Sequence, residues 1–91
     1  SSVRASVYDE QGEAVPHLAV GQAHAPDTTA DGGVEMDADA LLERTLGCLE
    51  SVLERVGPEI RGGIAGVGIA TFWHSILGVG PDGRAATPIL M

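Results

Sequence analysis

Apolar and polar positions alternate from Val3 to Tyr8, with Val3, Ala5 and Val7 on one side and Arg4 and Ser6 on the other. A period of two is the signature of a half-buried strand, predicted over 3–8. Asp9-Glu10-Gln11-Gly12 reads as a tight connection, with Gly12 free to take φ > 0. Residues 13–22 read as the returning strand, with Pro16 placing it at an edge, so a β-hairpin is predicted over 3–22. Residues 23–36 have loop composition. Asp37 then stands where a helix N-cap belongs, and apolar residues fall at Leu41, Leu42, Leu46, Leu49, Val52, Leu53 and Val56. That spacing predicts a helix over 38–56, apolar on one face and stopped by Gly57-Pro58. Residues 64–70 (Ile-Ala-Gly-Val-Gly-Ile-Ala) are apolar on both faces and read as a buried parallel strand. A second hairpin is predicted over 75–90, turning at Gly80-Pro81-Asp82-Gly83. The order is β-β-α-β-β-β, a mixed α/β arrangement.

Composition narrows the function classes. With 91 residues the chain is one domain or part of one. No apolar run approaches the roughly 20 residues that cross a membrane. No basic stretch leads an apolar run at the start, so no secretion signal is expected and a cytoplasmic location is. The single cysteine, Cys48, leaves no internal disulfide and no cysteine-built zinc site. Thirteen acids against five bases give a formal charge of -8, which repels nucleic acid and anionic membranes. All five bases are arginine. A few arginines can still serve a local phosphate site, because net charge does not decide a pocket.

Phe72 and Trp73 stand together beside His74, directly after the predicted 64–70 strand. Ligands gather at the carboxyl ends of strands in open α/β sheets. An indole offers an apolar plate and one N–H donor, and an imidazole both donates and accepts, which suits sugar recognition. The plain alternative is that Phe72 and Trp73 are core and His74 a satisfied histidine. Other constellations carry less. Gly63, Gly66 and Gly68 lie inside the predicted strand, not in a turn opening a helix, so they are no dinucleotide fingerprint. His74 and Ser75 are chain neighbours without a surrounding G-x-S-x-G. His17, His24, Asp27 and Asp31 are loosely spaced for metal ligands. Cys48 reads as packed, and Asp82 as a turn residue.

Ser1-Ser2-Val3-Arg4-Ala5-Ser6-Val7-Tyr8-Asp9-Glu10-Gln11-Gly12 resembles the start of the FGGY carbohydrate kinases, just after that family's Asp-x-Gly-Thr. Gly33-Val34-Glu35-Met36-Asp37 is similar to the family's lead-in to its first helix. Thr71-Phe72-Trp73-His74-Ser75 looks like its sugar-contact segment, and Gly80-Pro81-Asp82-Gly83 and Thr87-Pro88-Ile89-Leu90 are similar to the stretch of family members that comes after that segment. Each motif alone is weak; their order and spacing carry the resemblance across nearly the whole chain.

The resemblance implies part of an actin-like, ribonuclease-H-type domain whose first strand is missing. It implies ATP- and Mg2+-dependent phosphorylation of a sugar, polyol or sugar-acid hydroxyl, of the xylulokinase or gluconokinase kind. Ser1, Ser2 and Arg4 would hold ATP phosphate, and Trp73 and His74 would contact the sugar. The plain alternative for Ser1, Ser2 and Arg4 is a frayed terminus and a surface strand. The family's magnesium-organising Asp, its Trp-x-Asp-x-Arg and its catalytic base have no counterpart in these residues. The chain is therefore expected to be a piece of such a kinase with no catalytic residue of its own, inactive by itself. Its partners would be the sugar and either the rest of the kinase or a further copy, recruited by strand edges that the missing strand leaves open. Two other classes compete. An acidic protein-interaction module predicts no sugar or nucleotide binding, and an acidic metal-binding domain predicts metal-dependent melting.

Overall fold

A computed structural model describes residues 2–91. Strands β1 (Ser2–Tyr8) and β2 (Ala14–Ala23) form an antiparallel ribbon with Ala5 opposite Val20 and Arg4 opposite Gly21. The expected hairpin is present. Its connection is held by the Asp9 carboxylate, which accepts the Gln11 and Glu13 N–H groups at 3.0 and 2.9 Å, while Gly12 takes φ 79°. The register slips between Ser6 and Tyr8, and the extra residues of β2 form a bulge around Pro16 and His17. Proline lacks the ladder donor, so a bulge is where a strand can hold it. His17 sits in the left-handed region at φ 64°.

Helix α1 (Ala38–Arg55) is capped by Asp37, whose carboxylate accepts the Ala40 N–H at 2.9 Å. It lies across the ribbon with Cys48 and Val52 buried against Ala5, and Val3, Val7 and Val20 packed around them. Arg55 ties the far end of the helix to the Ala19 carbonyl of β2 at 3.3 Å. The helix ends without a left-handed glycine: Val56 is extended, and so is Gly57 ahead of Pro58. Gly57-Pro58 does more than stop α1. It opens a second short helix, α2 (Pro58–Gly62), with proline in the first turn where its missing N–H costs nothing.

The expected single apolar helix face is corrected. Leu41 is half-buried, but Leu42, Leu46 and Leu49 are exposed. At roughly 100° per residue, Leu49 already stands a quarter-turn or more from Cys48. Two strands about 4.8 Å apart cover one helix face and no more.

The loop expected over 23–36 is also corrected. Strands β3 (Asp27–Thr28) and β4 (Val34–Met36) pair around the Thr29–Gly33 turn. β4 pairs in turn with β5 (Ile89–Leu90), burying Met36 and Ile89. The strand expected over 64–70 is not formed. No residue there is in a ladder, and Val67 and Ile69 are 76% and 85% exposed. A strand exists only through its neighbours, and Gly66 and Gly68 add chain entropy without side chains to pack. The C-terminal hairpin forms loosely. Its turn is closed by the Gly83 N–H on the Gly80 carbonyl at 3.0 Å, with Gly83 at φ 80°. Its arms meet at Val79–Ala85 and Ile76–Leu90, and the Thr87 hydroxyl stands in for a ladder acceptor by taking the Gly78 N–H at 2.9 Å. The result is a mixed α/β structure in two sheets, a ribbon under one long helix and a small three-stranded antiparallel sheet.

Burial sets the expected response to truncation. Val52→Ala removes two buried methyl groups and should lower unfolding stability by about 2 kcal/mol, whereas Leu46→Ala on the open face should change it by less than about 0.5 kcal/mol. Urea melts followed by circular dichroism distinguish the two. Equal losses would mean that the leucine face is packed after all.

Candidate functional site

The start of β1 places Ser2 and Arg4 on the ribbon face away from α1, because residues two apart on a strand share a side. The Arg4 Nε–H donates to Ser2 Oγ at 3.1 Å. That bond orients the guanidinium, whose terminal amino groups make no hydrogen bond among the described residues. A hydroxyl held beside an arginine suits a phosphate, which accepts from both. Ser1, the third residue expected here, lies outside the described residues.

Trp73 and His74 occupy the connection after the 64–70 segment. Trp73 is 82% exposed and Phe72 is exposed as well, so neither is core. The indole and imidazole meet edge to face, with ring centres 6.0 Å apart and planes at 63°. His74 has φ 60°. A non-glycine residue pays for that conformation, and such strain is concentrated at binding and active sites. The Ser75 hydroxyl donates to the Trp73 carbonyl at 3.5 Å. No hydrogen bond or ring contact links the Trp73–His74 pair to the Ser2–Arg4 pair among the described residues.

A shallow cleft of roughly 350 Å³ lies at the N-terminal end of α1, lined by Asp27, Glu35, Asp37, Asp39 and Ala85–Pro88. Sequence reasoning did not single it out, because its acids come from three separate elements. Asp37 is engaged as the helix cap. Among the described residues no three His, Cys, Asp or Glu side chains gather where a metal could be held. His17, His24, Asp27 and Asp31 are thus not brought together. His24 is buried, and Cys48 is buried under the ribbon with its thiol 3.9 Å from the Val3 carbonyl. No helix among the described residues is long and apolar enough to cross a membrane.

No family model, curated protein or solved structure matches the chain.

One carboxylate is visibly tuned. Asp31 is held below its ordinary value, first by the Thr29 hydroxyl, which donates to its Oδ1, then by the Gly33 N–H at 3.2 Å. The folded chain therefore favours the ionised form. The associated stabilisation of the Thr29–Gly33 turn is full above the ordinary value of 3.8 and is lost as pH falls through the lowered one. In an NMR titration the Asp31 carboxyl and the Gly33 amide should move together with a midpoint below 3.8. A midpoint at or above that value would show that these bonds do not favour the carboxylate.

Proposed function

We propose that this chain is a piece of an ATP-dependent carbohydrate kinase, contributing a sugar contact through Trp73 and His74 and a phosphate contact through Ser2 and Arg4. The reading rests on the resemblance of the chain's motifs, in order, to the FGGY kinases. The structural observation that supports it best is the exposed indole set edge-on to a histidine with a left-handed backbone. A solvated tryptophan is unfavourable unless something covers it, and a sugar ring covers an indole with its C–H face while hydrogen-bonding at its rim.

In such a reaction a sugar hydroxyl attacks the terminal phosphorus of ATP, the bond to the bridging oxygen breaks, and ADP leaves. The hydroxyl proton goes to a base that these residues do not supply. Catalysis of this kind is mostly positioning and charge stabilisation. Trp73 and His74 would orient the sugar, while Arg4, steadied by Ser2, would offset phosphate charge. No residue described here is assigned to Mg2+. ATP and Mg2+ would be held largely by the remainder of the kinase, and the chain alone would not turn over.

Trp73 is the only tryptophan, so its fluorescence reports this site directly. Titration with gluconate, xylulose and glycerol should change its emission with at least one of them. His74→Ala should weaken that ligand about tenfold, the loss of one or two hydrogen bonds, and Arg4→Ala should leave it unchanged. The absence of a response to any of the three would remove the sugar contact. In a coupled assay with ATP and the same compounds no turnover is expected, and turnover would overturn the assignment of the catalytic groups to the rest of the kinase.

A further inference from the structure

The accessible surface of the chain is 7051 Å². A compact protein of 9.3 kDa exposes about 5,000 Å². The radius of gyration is 15.9 Å, against about 12 Å for a compact chain of this length. The excess, about 2,000 Å², is as large as the total buried in many stable dimers.

Two apolar surfaces contribute to that excess. One is the outward stripe of α1, with Leu42 and Leu46 56% and 50% exposed and Leu49 beside them. The other is the tract directly after α2, in which Ile64, Val67 and Ile69 are exposed. Their charge surroundings differ. The stripe is flanked along the helix by Asp39, Glu43 and Glu50, with Arg84 of the C-terminal hairpin near its Leu42 end, so two stripes face to face would set three acids and one base against the same set. Residues 62–81 contain no Asp, Glu, Lys or Arg. An uncharged tract can cover the stripe without that repulsion, and its glycines allow close approach.

We infer that two copies of this chain associate reciprocally, the Ile64–Ile69 tract of each covering the Leu42–Leu46–Leu49 stripe of the other. Such an exchange is closed and two-fold, so it ends at a dimer. It makes no use of the sugar or phosphate contacts, and its test reads mass instead of ligand binding; under the carbohydrate-kinase reading the remainder of the kinase is the competing occupant of both surfaces.

Sedimentation equilibrium from about 1 to about 100 µM should show a species of twice the 9.3 kDa chain mass. Ile69→Asp and Leu46→Asp each place an acid on an exposed position, so both should keep their helix content by circular dichroism. Each alone should weaken the dimer at least roughly tenfold. A monomer across the whole range would overturn the inference, as the tract would then be covered within its own chain or not at all. A dimer indifferent to both substitutions would place the interface elsewhere.

Discussion

Everything ordered around α1 depends on one contact, the seating of Cys48 and Val52 against Ala5 of the ribbon. The residues are small, which lets the helix lie close to the strands. Small residues also bury little apolar area each, and at about 25 cal/mol per Å² such a core is modest. The contact is narrow for a geometric reason. A two-stranded ribbon offers a single side to a single helix face, so side chains a quarter-turn away stay in water. The outward leucines follow from the size of the sheet, and no substitution within the helix would bring them under it.

The parts of this fold that could be read from sequence are those decided locally. Asp37 caps because its side chain reaches an amide three residues on, and Gly12 and Gly83 turn the chain because they tolerate positive φ. The β1–β2 pairing follows from a short connection between two alternating runs. What could not be read is decided at a distance. β3 and β4 are two and three residues long, and β4 gains its second partner from β5, more than fifty residues later. The 64–70 segment has the composition of a buried strand, yet composition supplies no neighbour to pair with. The helix carries two apolar arcs, one through Leu41, Cys48 and Val52 and one through Leu42, Leu46 and Leu49, and periodicity cannot say which is covered.

The candidate site divides along the same line. Ser2 and Arg4 share a face because they are two apart on a strand, which the alternation already shows. Trp73 and His74 are adjacent, an arrangement that would send them to opposite sides of a regular strand. The left-handed backbone at His74 accompanies their edge-to-face meeting, and nothing in the residue types announces that conformation. Exposure of the indole was equally hidden, since tryptophan beside phenylalanine reads as core until a covering layer is found to be missing.

Charge and apolar surface are segregated along this chain, and that segregation shapes what the surface can recruit. Most of the acids lie before residue 60, and one, Asp82, comes after the uncharged stretch. An acidic body repels another acidic body, and salt confines that repulsion to separations of about 10 Å or less. Between two copies of such a chain, contact is therefore least opposed where one side brings no charge. The 62–81 tract meets that condition. A surface both apolar and uncharged, set on an otherwise acidic chain, offers contact without the like-charge repulsion that its surroundings impose.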